Sequence, residues 1–269
     1  NDLDSFETAL LADLRETVTD RVSRRRRRRG ITLAAAAVAA VVGATAVVGF
    51  FPSGSGPLAP QRAAAATVLT QAARAAADAP ASSGTYWYTH SETDRPISRT
   101  KTVHQDLETW QRQDGASWWR LKGEELKRDK ETSAFLLCDK LVGYDVLAAL
   151  PTEPVALGAA LRDAMEHNDD GPVPADAQSS FLTGCAISLL GLLPAPPAVR
   201  AATFRFLATQ PGAQNLGPAK DARGRSGTEL RFGKDTVVID QRTGLVLQTN
   251  AGEGGPVVMV TARWTDQLG

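Results

Sequence analysis

The spacing of hydrophobic residues divides the chain into segments with different expected structures. Residues 31–51 form an unbroken run of 21 uncharged residues, ITLAAAAVAAVVGATAVVGFF. At a rise of about 1.5 Å per residue, a helix of this length covers roughly 30 Å, the thickness of the hydrocarbon core of a bilayer. The pattern therefore predicts one transmembrane helix over residues 30–51.

The direction of this predicted span follows from the charges in front of it. Six consecutive arginines precede the apolar run. They are Arg24, Arg25, Arg26, Arg27, Arg28 and Arg29. Because positive residues beside a first span stay inside, we expect a single-pass cell-membrane protein with residues 1–29 cytoplasmic and its C-terminal domain extracytoplasmic. A cleaved signal peptide is the alternative, since small residues follow Arg62, although such apolar regions are shorter, about 7 to 15 residues.

The segments beside the span have contrasting patterns. In the tail, Phe6, Leu10, Leu14 and Val18 recur at steps of four, which predicts a short amphipathic helix. This helix either lies on the inner membrane surface or binds a cytoplasmic partner. Residues 52–62 begin with PSGSGPLAP, a composition typical of linkers. We therefore expect one extracytoplasmic domain over residues 63–269.

Within this domain the hydrophobic period changes from helix to strand, back to helix and then to strand again. An Ala-rich helix is expected over residues 63–79, followed by three strands over 85–92, 99–112 and 117–122. Three helices follow. Thr152 is expected to cap the first, which runs through Met165, and the other two cover residues 181–192 and 199–206. Five further strands are expected over 215–222, 228–232, 235–240, 245–249 and 256–264. Strands on both sides of a helical block predict an α+β domain with a mainly antiparallel sheet.

The charge balance and the motifs of the chain argue against several classes of function. The chain has 30 basic and 30 acidic residues, so its net charge of zero gives no sign of nucleic-acid binding. Spacings typical of zinc proteases, CxxC sites, serine hydrolases and phosphate loops are absent from the sequence. The three histidines, His90, His104 and His167, are scattered along the chain. We therefore expect neither catalysis nor a cofactor.

One local group of residues has the chemistry of metal ligands. It consists of Glu166, His167, Asp169 and Asp170. The Gly-Pro turn after these residues is more typical of a solvated helix end, so we expect no metal site.

The two cysteines suggest a covalent link. Cys138 and Cys185 both fall in the expected extracytoplasmic domain, where disulfides persist. In the chain-entropy model, a bridge closing a loop of this size contributes roughly 4 kcal/mol. The alternative is two small buried thiols within the helical block.

Two adjacent tryptophans are the candidate ligand-binding residues. Trp118 and Trp119 fall on a predicted strand, and neighbouring side chains on a strand face opposite sides. One ring can join the core, but the other lies on the second face, beneath covering helices or against a ligand. We expect the helices over 181–193 and 199–207 to cover an aromatic face, either tightly or with a cavity left between.

Several segments together carry a family resemblance. They are the arginine run, the Ala/Val span, GTYWYT, ALPTEPVAL, GLLPAPPAVRAATFRFLATQPG and VIDQRTGLVLQT. Over nearly its whole length the chain resembles an uncharacterised actinobacterial family of single-pass membrane proteins. Its extracytoplasmic domain is similar in layout to LolA-like, LolB-like and LppX-like carriers, which implies a curved sheet with helices packed on it.

These expectations combine into one hypothesis and one alternative. The first is a membrane-anchored binding or sensing module, without catalysis, for an apolar or lipid-like ligand or a protein partner. The alternative is a transmembrane regulator of the anti-sigma type, in which the tail binds a sigma factor. The tail has about 23 residues before the arginines, which is short for that purpose, and it lacks the zinc-binding His and Cys of many such regulators.

Overall fold

A computed structural model describes residues 59–96, 102–129, 135–169, 171–250 and 257–269. The predicted span over 30–51, the arginine run and the tail helix lie outside these residues. Among the described residues, no helix combines the length and the apolar character that crossing a bilayer requires.

Five helices form in the described part of the chain, and three of them make up the predicted central block. They are α1 (Ala59–Asp78), α2 (Tyr144–Ala148), α3 (Pro154–Glu166), α4 (Gln178–Gly191) and α5 (Pro197–Thr209). Helices α3 and α5 each have a proline in their first turn, where its missing N–H has no helical partner to lose.

Eleven strands are described, and nine of them form one sheet. They are β1 (Tyr86–Pro96), β2 (Thr102–Arg112), β3 (Ser117–Leu121), β4 (Lys127–Arg128), β5 (Phe135–Leu137), β6 (Lys140–Val142), β7 (Ala213–Lys220), β8 (Ser226–Phe232), β9 (Asp235–Asp240), β10 (Leu245–Asn250) and β11 (Val257–Thr265). The sheet has the order β4-β3-β2-β1-β11-β10-β9-β8-β7, and β5 pairs only with β6. All pairs are antiparallel, so the predicted α+β class with a mainly antiparallel sheet is confirmed.

The helices pack on one another and on one side of the sheet. Helix α1 lies against α5 and β7, while α4 contacts β10 and β5. The helical junction buries Leu69, Leu157, Leu161, Phe204 and Leu207 completely. Burial of each such side chain stabilises the fold by about 1.5–3 kcal/mol, so this junction anchors the helical block.

A glycine lets one turn of the sheet approach α1. Gly244, between β9 and β10, has a φ of 64°, a value that favours glycine. A Cβ atom there would lie 2.8 Å from the carbonyl oxygen of Ala72. Any larger residue would therefore push the turn away from α1.

Two of the sequence-based boundaries differ from the structure. Helix α1 begins at Ala59, so the last residues of the predicted linker over 52–62 are helical. Thr152 does not cap α3, because the N-cap residue is Glu153 and no side chain bonds the helix end there. The proline at the start of α3 moves the boundary, since its fixed φ already suits the first helical position.

The strand register assigns every side chain of the first sheet half to one of two faces. We call the face that carries Trp87, Thr89 and Trp119 the inner face, and the face that carries Tyr88 and Trp118 the outer face. The expected separation of Trp118 from Trp119 is therefore confirmed. Tyr86 also shares the outer face with Tyr88.

Two bulges interrupt the ladder near the centre of the sheet, and one side chain spans them. Leu247 of β10 and Val260 of β11 have no direct cross-strand partner at these points. The Arg225 guanidinium donates to the carbonyl oxygens of Leu247 at 3.1 Å and of Met259 at 2.6 Å. Its Nε donates to Asp221 at 2.6 Å, and the side chain of Asp221 is fully buried. Arg225 thus compensates for hydrogen bonds that the bulges remove.

Candidate functional site

A cavity of about 840 Å³ lies between the inner face of the sheet and helix α4. The strands that form its floor include β1, β2, β3, β10 and β11, while α4 and the β5–β6 hairpin supply the opposite wall. Its apolar lining includes Trp87, Leu107, Trp119, Leu136, Phe181, Ile187, Leu192, Leu193, Val257 and Met259. Of the two helices expected to cover the aromatic face, α4 does so, whereas α5 packs mainly against α1.

Trp87 holds the sheet and α4 at a set separation beside this cavity. Its indole Nε1 donates to the carbonyl oxygen of Leu192 at 2.7 Å, which ties β1 to the end of α4. Its ring also meets Trp264 in a T-shaped contact with centroids 5.5 Å apart, and Trp264 meets Tyr144 at 5.1 Å. These contacts hold sheet and helix at a set separation, so the role of Trp87 is structural.

Trp119 and Trp118 occupy different environments. Trp119 lies opposite Thr109 on the inner face, and the Lys127 ammonium lies 4.8 Å from its ring centroid. Trp118 borders the cavity as well, but the register directs its ring to the outer face, where it contacts Tyr86 with centroids 5.5 Å apart. Of the two candidate residues, the register therefore assigns Trp119 to the face that α4 covers, while Trp118 borders the cavity from the outer face.

Several polar side chains near the cavity are already hydrogen-bonded within the protein. The hydroxyls of Thr89 and Thr109 bond each other at 2.6 Å across β1 and β2. On α4, Ser180 donates to the carbonyl oxygen of Ala177 at 3.0 Å. A hydroxyl that is paired in this way needs no hydrogen bond from a ligand, so these parts of the cavity wall suit apolar contacts.

Cys138 and Cys185 are joined as a disulfide that lines part of the cavity. Their Cα atoms lie 5.0 Å apart, within the usual range for such a bridge. Cys138 follows β5 and has a φ of 51° in the tight turn of the hairpin. The bridge therefore attaches the β5–β6 hairpin to α4 beside the cavity. Leu136 of the same hairpin is 39% exposed, which places it at the opening.

A second group of polar residues lies on the outer face of β1 and β2. Both strands carry histidine followed by two acidic residues at alternate positions, and antiparallel pairing makes the two sets mirror each other. The cross-strand partners are His90 with Glu108, Glu92 with Asp106 and Asp94 with His104. We call these six residues the His–acid ladder. The repeated His-x-acid-x-acid spacing is visible in the sequence, but treating the histidines as isolated residues missed it.

Hydrogen bonds hold one end of the His–acid ladder. The Tyr88 hydroxyl donates to Glu108 at 2.6 Å, and the Arg120 Nε donates to Glu108 at 2.7 Å. Burial raises the pKa of Glu108, but the hydrogen bonds from Tyr88 and Arg120 and the charge of Arg120 outweigh it, so the pKa lies below its usual value. Burial, followed by the bond to Glu108, raises the pKa of Tyr88. Glu108 is thus held as a carboxylate that is already paired.

Another part of the His–acid ladder brings three ligand-type groups together. The Nε2 atom of His90 lies 2.7 Å from an Asp106 carboxylate oxygen. Ligand atoms of His90, Glu92 and Asp106 all lie within 4.8 Å of one another, which no other three such residues achieve in the described ranges.

The local cluster singled out from the sequence has other contacts. The His167 Nδ1 atom lies 2.9 Å from the carbonyl oxygen of Asp163, and Asp169 accepts a hydrogen bond from the Leu141 backbone at 3.1 Å. Asp170 lies outside the described residues.

Comparison with protein-family models, with curated proteins and with solved structures finds no match for this chain. The likeness to lipid carriers stays an expectation from the sequence.

Proposed function

We propose that this protein is a membrane-tethered, extracytoplasmic binding module whose cavity beneath α4 holds an apolar or lipid-like ligand. The observation that supports this function is the cavity of about 840 Å³, lined largely by aromatic and aliphatic side chains. Small-molecule sites usually occupy about 300–1,000 Å³ and have this kind of lining. No catalytic residue is part of the proposal.

The shape of the site favours a ligand that enters beside the hairpin. Leu136 of the hairpin is part of the lining and 39% exposed, while Trp119 and Met259 line the wall on the sheet. An acyl chain bound there would replace water along aromatic and aliphatic surface, which stabilises the complex by about 25 cal/mol for each Å² buried.

The adjacent tryptophans provide a matched test, because they differ in face but not in chemistry. The described residues fall within one compact unit, so residues 54–269 can be prepared as a separate domain and checked for cooperative unfolding. We expect a fluorescent fatty acyl probe to bind this domain saturably and to shift its tryptophan emission. Trp119→Ala should weaken binding by about tenfold, the equivalent of roughly 1.4 kcal/mol.

Trp118→Ala is the control and should leave the probe affinity within about twofold, because its ring lies on the outer face. If the wild-type domain shows neither saturable binding nor a change in emission, the carrier function is wrong. The helices would then form the tight cover of a protein-interaction domain.

A further inference from the structure

Glu92 and Asp106 oppose each other directly in the register of β1 and β2. Like charges at directly opposed positions destabilise a pair of strands. Each carboxylate has its own cation from a different segment: the Arg223 guanidinium lies 2.6 Å from Glu92, and the Lys122 ammonium lies 3.5 Å from Asp106. The cations are on long side chains, and that of Lys122 is 77% exposed. Ion pairs whose cation is exposed to solvent contribute little to stability, so the cations can be displaced.

His90 adds an imidazole nitrogen to this acidic pair. Its Nε2 atom lies 2.7 Å from Asp106, and both side chains are mostly shielded from solvent, with exposed fractions of 22% and 10%. All three side chains come from paired strands, which hold ligands in position better than loops do.

We propose that His90, Glu92 and Asp106 bind a divalent transition-metal ion, with Zn²⁺ as the best match. One imidazole and two carboxylates leave a fourth tetrahedral position for water, an arrangement that zinc accepts. Zinc–ligand bonds of about 2.0–2.2 Å require donor atoms about 3.4 Å apart. Because the present spread is within 4.8 Å, small side-chain rotations suffice.

The metal ion changes the hydrogen bonding but not the strands. Zn²⁺ replaces the hydrogen bond between His90 and Asp106: the Nε2 lone pair binds the ion, the bound imidazole carries its single proton on Nδ1, and any other proton displaced from this pair passes to solvent. Arg223 and Lys122 move off the carboxylate oxygens that bind the ion, since the ion supplies the positive charge that Glu92 and Asp106 need. Imidazole favours zinc over Ca²⁺ and Mg²⁺, which prefer sets made entirely of oxygen ligands. The site lies on the outer face, so it is independent of the cavity and of the ligand proposed there.

The test measures Zn²⁺ binding to the full 269-residue chain in mild detergent, after chelation, by titration calorimetry. We expect one ion per chain. His90→Ala and Glu92→Gln should each weaken binding by more than about 100-fold, because even partners behind the ligands usually contribute 10- to 100-fold. Thermal unfolding without metal checks that each variant is folded, and Glu92→Gln preserves the side-chain shape.

His104→Ala is the matched control, because His104 occupies the mirror position of the His–acid ladder and bonds Asp94 at 2.7 Å. It should leave Zn²⁺ affinity within about twofold. Co²⁺ substituted for Zn²⁺ should give visible absorption bands that His90→Ala removes. The proposal is overturned if the wild-type chain binds no stoichiometric Zn²⁺, or if His90→Ala and His104→Ala bind it equally well.

Discussion

Arg225 shows how a single side chain can stabilise an irregular part of a sheet. The bulges at Leu247 and Val260 leave backbone groups without their usual partners, and the guanidinium donates to carbonyl oxygens on two strands. Its fixed fork of donors suits this position better than the single ammonium of a lysine. Asp221 orients it through the Nε bond.

Replacing Arg225 by alanine should therefore destabilise the domain. We expect a loss of about 2–4 kcal/mol in the free energy of unfolding, because buried Asp221 loses its cation and two carbonyl groups lose a charged donor. Urea unfolding measures this directly. Arg231→Ala, an exposed position on β8, is the control and should change stability by less than about 0.5 kcal/mol. Equal effects of the two substitutions would contradict this role of Arg225.

For single residues, the sequence predicted that adjacent side chains on a strand lie on opposite faces of the sheet. It did not predict which of the two faces the helices. Alternation along a strand requires Trp118 and Trp119 to face opposite ways whatever the fold. Which ring faces α4 depends on the pairing with β2, and no local signal determines that pairing. The grouping of His90 with Asp106 depends on the same pairing, so it emerged only with the register.

The β5–β6 hairpin depends on a covalent link more than the other strands do. Each of its strands has three residues and pairs only with the other, so the hairpin has no place in the main sheet. Phe135 and Leu137 of β5 are buried, and the disulfide joins the turn of the hairpin to α4. The bridge thus limits how far the hairpin can move from the cavity.

We expect non-reducing mass analysis of protein from its native source to give a mass two hydrogens below that of the dithiol. Reduction should lower the free energy of unfolding by roughly 4 kcal/mol, because the bridge spans 47 positions and restricts the unfolded chain. Chemical denaturation with and without reductant measures the difference. Alkylation of two thiols in the untreated native protein would contradict the pairing.

Long elements with a clear period were predictable, and short ones were not. The alternation around Tyr86 and Tyr88 and the periods that became α4 and α5 indicated the right type of element. The hairpin and the five-residue helix α2 were missed, since three to five residues are too few to show a period. These short elements are stabilised by burial against the rest of the domain.

The whole sheet forms because two distant runs of strands meet. β1 pairs with β11, so residues near Tyr86 lie beside residues near Thr265. Both runs of strands were evident in the sequence. The pairing of β1 with β11 was not, because it joins residues far apart in the chain and no local pattern indicates it. Thr85 strengthens this closure through bonds from its backbone N–H and its hydroxyl to Asp266, both 2.9 Å long.

The membrane topology remains a prediction from residues 24–51, which lie outside the described part of the chain. Because arginines beside a span stay in the cytoplasm, a reporter active only there should work at residue 1 and fail at residue 269. Replacing the six arginines by glutamine should weaken this preference. Reporter activity at the C-terminus of the unaltered chain would show that the orientation is wrong.

The strand order also determines how the sheet ends. An open sheet carries unpaired backbone groups on its two outermost strands, which can recruit strands from other chains. Here one outermost strand, β4, has two residues, both basic, and the other, β7, contains Pro218 and a break in register after Asn215. Short length, charge, proline and bulges are the features that prevent edge-to-edge association. Both ends of the nine-stranded sheet are therefore protected, and the domain can expose a wide sheet without polymerising through its edges.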